Sequence, residues 1–215
     1  MLVDDDPMVR TGLRFMLESA DDLRVAAEAG NGEEAIAIAQ GGGLDLVLMD
    51  LRMPGMGGIA ATSAIRALPA PPQVIALTTW DVDDAVLAAL DAGAAGFLLK
   101  TSAPTEIIGA IRAVMAGDAV LSPRSTRQLL DQLGRSPALP QQRAAQQAVA
   151  QLTQREREVA VAVARGLTNA AIGAALYLAE PTVKTYVAAI QSKLGVANRV
   201  GIAVLAERAG LLAEG

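Results

Sequence analysis

At 215 residues with 52% apolar side chains, the chain has length for one large domain or two small ones and enough apolar content to bury a core. Cysteine and histidine are both absent, which excludes disulfides, thiol nucleophiles, Cys-type zinc sites, a His general base and a phosphohistidine carrier and leaves acid–base or metal chemistry to carboxylates, lysine, tyrosine and hydroxyls. The net charge of -5 is unevenly spread, with 7 Lys and Arg against 17 Asp and Glu over residues 1–120, 4 against 1 over 121–149, and 7 against 5 over 150–215, a pattern expected of two domains with different partners.

The chain opens on MLVDDDP, where three adjacent carboxylates, Asp4, Asp5 and Asp6, follow only three residues. Adjacent like charges repel, so the stretch is either a solvated turn or a seat for something cationic. Met1–Val3 reads as the end of a first strand, and Pro7 suits the first turn of a helix. Further apolar strand candidates at 23–29, 44–49, 73–78 and 96–99 alternate with amphipathic segments near 8–19, 33–40, 58–68, 83–92 and 104–116. Strands alternating with helices of about ten residues predict a parallel sheet wrapped on both faces. The run LVLM at 46–49 lacks polar alternation, as a strand buried on both faces should. The expected class over residues 1–118 is therefore α/β, a doubly wound five-stranded parallel sheet.

Residues 119–149 hold three prolines, many glutamines and no strand signal, and read as a linker with helical pieces. Ser122-Pro123 would start a short helix to Leu133, and the Gln-Ala repeats before 150 form either a helix leading into the next domain or a mobile stretch. From 150 to 215 the pattern is wholly helical, with helices expected at 154–165, 169–176, 181–194 and 199–209. Thr153 and Glu156 have the spacing of a capping box, and Gly166, Gly195 and Gly210 fall where helix C-termini favour glycine. Helices of about eight and fourteen residues joined by a turn of about four match a helix-turn-helix, here within an all-α four-helix domain.

In open α/β sheets, chemistry sits outside the carboxyl ends of the strands. At those ends stand Asp4, Asp5 and Asp6, then Asp50, then Thr78 and Thr79, then Lys100. Taken singly, each has a plainer reading: the aspartates as helix caps, Lys100 as a surface charge. Taken together they suit one task. Clustered carboxylates favour a hard divalent cation such as Mg²⁺, a lysine meets phosphate as a point charge, a threonine hydroxyl can bond a phosphoryl oxygen, and an aspartate can be the nucleophile that becomes an aspartyl-phosphate.

The segments LVDDDP, LVLMDLRMPGMGG, IALTTWD and GAAGFLLKT resemble the motifs of a response-regulator receiver domain, whose fold is flavodoxin-like. The resemblance implies that Asp4 and Asp5 are the metal-binding acidic pair, that Asp50 accepts the phosphoryl group and also ligates Mg²⁺, and that the backbone carbonyl of Arg52 is a further ligand. It assigns the switch hydroxyl to Thr78, which lies 22 positions before Lys100, the phosphate-binding lysine to Lys100, and the aromatic that reports activation to Phe97. Asp6 stands at a variable position and falls outside the metal shell. Gly57 replaces the usual aspartate, a tolerable helix cap. Arg52 and Trp80 either flank the phosphoryl group or only line the cleft rim. The family also has several residues before its acidic pair, so the first strand is expected to be clipped here.

The segment from Leu152 to Leu212, with LTQREREV, RGLTN, TVKTYV, KLGV and NR in order, resembles the DNA-binding domain of NarL/FixJ-type (LuxR-like) regulators. On the 181–194 helix, Val183, Val187, Ile190 and Leu194 share one face and must be core. Pro181, Thr185, Ala188 and Ser192 form the opposite face, flanked by Lys184 and Lys193, and small residues there let a helix enter the major groove. The expected DNA contacts are Thr182, Lys184, Thr185, Ala188, Lys193 and Arg199, with Lys184 and Thr185 nearest the bases. Tyr186 either bonds a phosphate or is half-buried core. Ala179 replaces the usual hydroxyl cap, Asn198 caps the last helix, and 199–209 is the dimer surface that the resemblance implies.

The expected function is that of a cytoplasmic, homodimeric transcription regulator with no membrane segment. A sensor histidine kinase would phosphorylate Asp50 with Mg²⁺ and thereby shift dimerisation and promoter binding. An aspartyl-phosphate phosphohydrolase is the enzyme alternative, opposed by the helix-turn-helix. A regulator driven by ligand or oligomerisation alone is the other, opposed by the intact Asp4, Asp5, Asp50, Thr78 and Lys100 set.

Overall fold

The computed structural model describes residues 1–78, 83–121 and 139–212. The chain divides into two compact units, an N-terminal one holding the β-sheet and a C-terminal one of helices. Trp80, Thr79 and the helix expected at 122–133 lie outside the described residues.

The strands of the first unit are β1 (Leu2–Val3), β2 (Glu28–Ala29), β3 (Leu46–Asp50), β4 (Gln73–Thr78), β5 (Gly96–Leu99) and β6 (Val120–Leu121). They form one parallel sheet in the order β2-β1-β3-β4-β5-β6. The five strands legible in the sequence are all present. The sixth, Val120–Leu121, falls inside the stretch that reads as linker and pairs along β5. Of the stretch at 23–29 only Glu28–Ala29 is strand. β2 lies at the sheet edge, and its neighbour β1 is itself two residues long, so the residues before Glu28 have no ladder to join.

Helices α1 (Pro7–Leu17), α2 (Gly32–Gln40), α3 (Gly58–Arg66), α4 (Asp83–Asp91) and α5 (Pro104–Met115) connect the strands. Alternation along each strand sends side chains to both faces. Leu2, Leu48, Ile75, Leu77 and Leu98 pack with Leu13 and Leu17 of α1 and Ile107, Ile111 and Val114 of α5. Val3, Val47, Met49 and Val74 pack with Ala35 and Ala39 of α2 and Ala61 and Ile65 of α3. Asp6 caps α1, accepting from the Met8 amide at 2.8 Å, with Pro7 in the first turn. Asn31 caps α2 through the Glu34 amide at 2.8 Å.

The short β1 leaves the Met1 amino group inside the sheet, where it donates to the Leu46 carbonyl at 2.8 Å. Burial lowers its pKa from 8.0 to about 6, against a small opposing pull from Asp45. The unfolded chain therefore binds more protons than the folded one between these values. Stability of the 215-residue chain should rise from pH 6 to pH 8, by roughly 2–3 kcal/mol at most, as denaturant titrations across that range would measure. A cavity of about 310 Å³ opens beside Met1 and Leu2, with Val25, Leu44 and Leu46 in its wall.

The second unit contains α6 (Leu139–Ala150), α7 (Gln154–Ala164), α8 (Asn169–Leu176), α9 (Glu180–Leu194) and α10 (Arg199–Arg208). The last four match the helices expected from the sequence; α6 takes up the Gln-Ala repeat and adds Val149 to the core. That core joins Val149, Leu152, Val159, Val163, Ile172, Val183, Val187, Ile190 and Ile202, each apolar side chain contributing about 1.5–3 kcal/mol by leaving water. The capping box at the start of α7 is formed, with the Thr153 amide donating to Glu156 Oε2 at 2.8 Å and the Glu156 amide to Thr153 Oγ1 at 3.3 Å. The turn between α8 and α9 is tight: a Cβ on Gly173 would stand 2.6 Å from the Leu178 carbonyl oxygen, so only glycine permits this close approach.

Candidate functional site

Strand register brings the acidic residues together. Val3 pairs with Met49 and Asp50 with Leu77, so Asp4 and Asp50 leave adjacent strands at the same edge. Thr78 pairs with Leu99, and Lys100 follows at once, its amide donating to the Thr78 carbonyl at 2.7 Å. Asp4, Asp50 and Thr78 are 1%, 3% and 2% exposed, while Asp5 is exposed. Nζ of Lys100 stands 2.5 Å from Asp4 Oδ2 and 2.8 Å from Asp50 Oδ2.

One ammonium between two buried carboxylates leaves an excess negative charge. Burial pushes the Asp50 carboxyl above its usual range and Asp4 adds repulsion, more than Lys100 and the Arg52 amide draw it down. For Lys100, burial alone would lower the pKa, but its hydrogen bonds and charge interactions with Asp4 and Asp50 outweigh it and the net direction is up. Asp4 Oδ2 is buried, and its close partner is the Lys100 ammonium. Ligand oxygens from Asp4, Asp5 and Asp50 lie within 4.8 Å of one another. An oxygen-only donor set of three carboxylates with a single ammonium between two of them fits a hard divalent cation.

The local backbone holds these groups in place. The Asp4 amide donates to the Ala29 carbonyl at 3.1 Å, the Asp6 amide to Asp4 Oδ1 at 3.0 Å, and the Arg52 amide to Asp50 Oδ1 at 3.2 Å. Arg10, one turn into α1, donates to the Asp4 carbonyl at 2.6 Å and to Glu28 at 3.0 Å, tying the acidic loop to β2. The sequence reading misses this clamp; the separation of Arg10 from Asp6 by one helical turn was its only signal, and spacing does not tell which way a side chain turns. Gly57 caps α3 without a side-chain bond. The next residue is the more constrained: a Cβ on Gly58 would lie 1.9 Å from the Asp50 carbonyl oxygen. Gly58→Ala should therefore cost about 2–3 kcal/mol by overpacking, read as a lower urea midpoint. Phe97 is fully buried in β5 and Arg52 is exposed beyond β3.

The second cluster of expected site residues lies on α9. Thr182, Lys184, Thr185 and Ala188 are exposed along one side of the helix, with Pro181 and Ser192, while Val183, Val187 and Ile190 are buried. Ala179 caps α9 without a side-chain bond. Tyr186 is half-buried against the domain core, the second of its two readings. Lys193 is exposed but ion-paired, its Nζ 2.7 Å from Glu156 Oε2; this contact, with the Thr153 bonds, holds the Glu156 carboxyl below its usual range. Arg199 departs from expectation. It is 8% exposed and donates to Asn169 Oδ1 at 2.7 Å and to the Leu167 carbonyl, so it ties α10 to the α7–α8 turn instead of standing on the α9 face. Asn198 caps α10 through the Gly201 amide at 2.8 Å. In α10, Val200 and Ile202 are core, and Val204 and Leu205 are half-buried.

Comparison with known proteins agrees with both halves. The family described as "Response regulator receiver domain" matches residues 1–112, and that described as "Bacterial regulatory proteins, luxR family" matches residues 150–206. The transcriptional regulatory protein LiaR of Bacillus subtilis is 40% identical over 210 residues, covering 97% of this chain and 96% of that protein. The nitrate/nitrite response regulator protein NarL of Escherichia coli is 35% identical over 204 residues, covering 95% and 92%. Among solved structures, the response regulator ChrA of a heme-sensing two-component system is 36% identical, with a TM-score of 0.52 over 98% of this chain and 96% of that one. Among the described residues no helix is long and apolar enough to cross a membrane. A sheet edge that gathers Asp4, Asp50, Thr78 and Lys100, followed by a LuxR-type helix-turn-helix and matched end to end by such relatives, places this chain among the NarL/FixJ-type two-component response regulators.

Proposed function

We propose that this protein is a cytoplasmic transcription regulator controlled by phosphorylation of Asp50. A carboxylate oxygen of Asp50 attacks the phosphorus of a phosphohistidine on a sensor kinase; the P–N bond breaks, and its electron pair stays with the imidazole, which takes up a proton. Asp4, Asp5, Asp50 and the Arg52 carbonyl would hold Mg²⁺, which when bound supplies charge neutralisation for the phosphoryl oxygens. Lys100, already placed against Asp50, pairs with the incoming phosphoryl group, and the Thr78 hydroxyl bonds one of its oxygens. The phosphoryl group then competes with Asp4 for Lys100, and repacking around Phe97 carries that change to the surface. The shift favours dimers whose α9 helices enter successive major grooves, with Lys184 and Thr185 nearest the bases and Thr182 and Ala188 along the same side. Lys193 and Arg199 are not among the contacts proposed: Arg199 is buried, and Lys193 is held at 2.7 Å by Glu156, a tighter pair than the 3.8 Å contact of Lys184 with Glu180.

The observation that carries this reading is the ammonium of Lys100 held between two buried carboxylates, with the Asp5 carboxylate beside them. Footprinting on promoter DNA, with and without a small phosphodonor and Mg²⁺, tests it. Protection of a paired site that strengthens with phosphodonor is expected. Equal protection in its absence would sink phosphorylation control, as would silence of Trp80, the only tryptophan in the sequence, when Mg²⁺ and a phosphoryl mimic are added.

A further inference from the structure

Wherever else a described residue takes a positive φ, the chain uses glycine. Gly42, Gly43, Gly55, Gly93, Gly117, Gly166, Gly195 and Gly210 all do so, and Tyr177 is the single exception among the described residues. Three of these glycines follow helices α7, α9 and α10, where the left-handed position that ends a helix favours a residue without Cβ. At the end of α8 the same position, φ 55° and ψ 46°, holds a tyrosine. The left-handed region is costly for a bulky side chain, and burial does not repay it, because Tyr177 is 96% exposed.

The turn itself does not require an aromatic. Amides of Tyr177 and Leu178 both donate to the Gly173 carbonyl, bonds that glycine or asparagine at 177 would keep. Leu176 and Leu178 on either side pack against the domain core, which leaves Tyr177 pointing to solvent three residues before α9 begins. In a helix-turn-helix the second helix enters the major groove and the first crosses the backbone, so the turn between them runs beside the phosphates.

We propose that Tyr177 is a DNA-backbone contact, its phenolic O–H donating to a phosphate oxygen at the rim of the groove that α9 enters. This rests on the reading of α9 as the recognition helix. The strained, exposed tyrosine is kept for binding at the expense of folding stability, the direction of inference that an observed backbone outlier permits. Tyrosine is among the side chains that bond phosphates, and such contacts position without reading sequence.

Because a phosphate contact is sequence-independent, mixed-sequence duplex DNA at low salt is a sufficient probe. The full chain, treated with phosphodonor, would be titrated as wild type, Tyr177→Phe, Tyr177→Asn and Lys184→Ala. Tyr177→Phe should keep the melting temperature and lose about tenfold in affinity. Since a phenol carries no charge, its dependence on salt should stay that of wild type, whereas Lys184→Ala should reduce the slope by about 0.9. Tyr177→Asn should lose affinity as well, yet melt a few degrees higher. If Tyr177→Phe binds within twofold of wild type while Lys184→Ala is weakened, the proposal falls and the DNA-binding reading stands. If wild type and Lys184→Ala bind alike, or neither binds, both fall.

Discussion

Asp50→Asn is expected to abolish labelling by a small phosphodonor in the presence of Mg²⁺, because the amide offers no carboxylate oxygen for attack. The substitution should also raise the melting temperature of the metal-free protein. In the folded chain the Asp50 carboxyl sits above its ordinary range, first because it is buried and also because Asp4 repels it. A carboxylate raised on folding costs stability at any pH above its folded value, and asparagine removes that cost while leaving the Asp4–Lys100 pair at 2.5 Å in place. The rise in melting temperature that Mg²⁺ gives the wild type should shrink in the variant, since one of the three clustered carboxylates is gone. Thermal melts with and without Mg²⁺, beside a phosphodonor labelling assay, read all three effects. Labelling at the wild-type level would overturn the assignment of Asp50.

The larger effect on stability should come from Lys100→Met. Removing the ammonium leaves Asp4 and Asp50, 1% and 3% exposed, as two like charges in one poorly solvated place. Breaking a buried pair by deleting one partner costs about 3–5 kcal/mol. The pH dependence follows in sign. Lys100 is what draws the Asp50 carboxyl down against burial, so without it the folded pKa of Asp50 moves further up. The unfolded chain then loses protons more readily, and stability falls as pH rises through the carboxylate range. The deficit against wild type should be largest at pH 7 and shrink toward pH 4, and added Mg²⁺ should recover part of it. Equal urea midpoints at pH 7 would show that the triad of charges is not coupled as the distances require.

Much of the site was legible because a parallel sheet has simple rules. Strands β3, β4 and β5 are apolar runs with no competing pattern, so their carboxyl ends, and hence Asp50, Thr78 and Lys100, could be placed to within a residue. What escaped was set by partners distant in sequence. β2 shrank to Glu28–Ala29 because its neighbour β1 is two residues long. Val120–Leu121 became a strand because β5 had an open edge beside it, although Gly117-Asp118 before it and Ser122-Pro123 after it give no strand signal. In the C-terminal unit, the helix ends were readable from Thr153, Asn198 and the glycines. The exposure of cations was not: Arg199 lies directly after the Asn198 cap, and only packing shows it turned inward to Asn169.

The sequence by itself determined the class of each half, which residues stand at the strand ends, and which face of α9 is small and polar, because hydrophobic period and strand-end position are local properties. Only the tertiary structure decided how the charges are used. It placed one ammonium between the buried carboxylates of Asp4 and Asp50. It paired Lys193 with Glu156 and buried Arg199, and it put an exposed tyrosine where glycine would have been easier to fold. The charge pairings depend on distances between groups far apart in the chain, and an electrostatic interaction is set by that distance and by burial, neither of which residue order specifies.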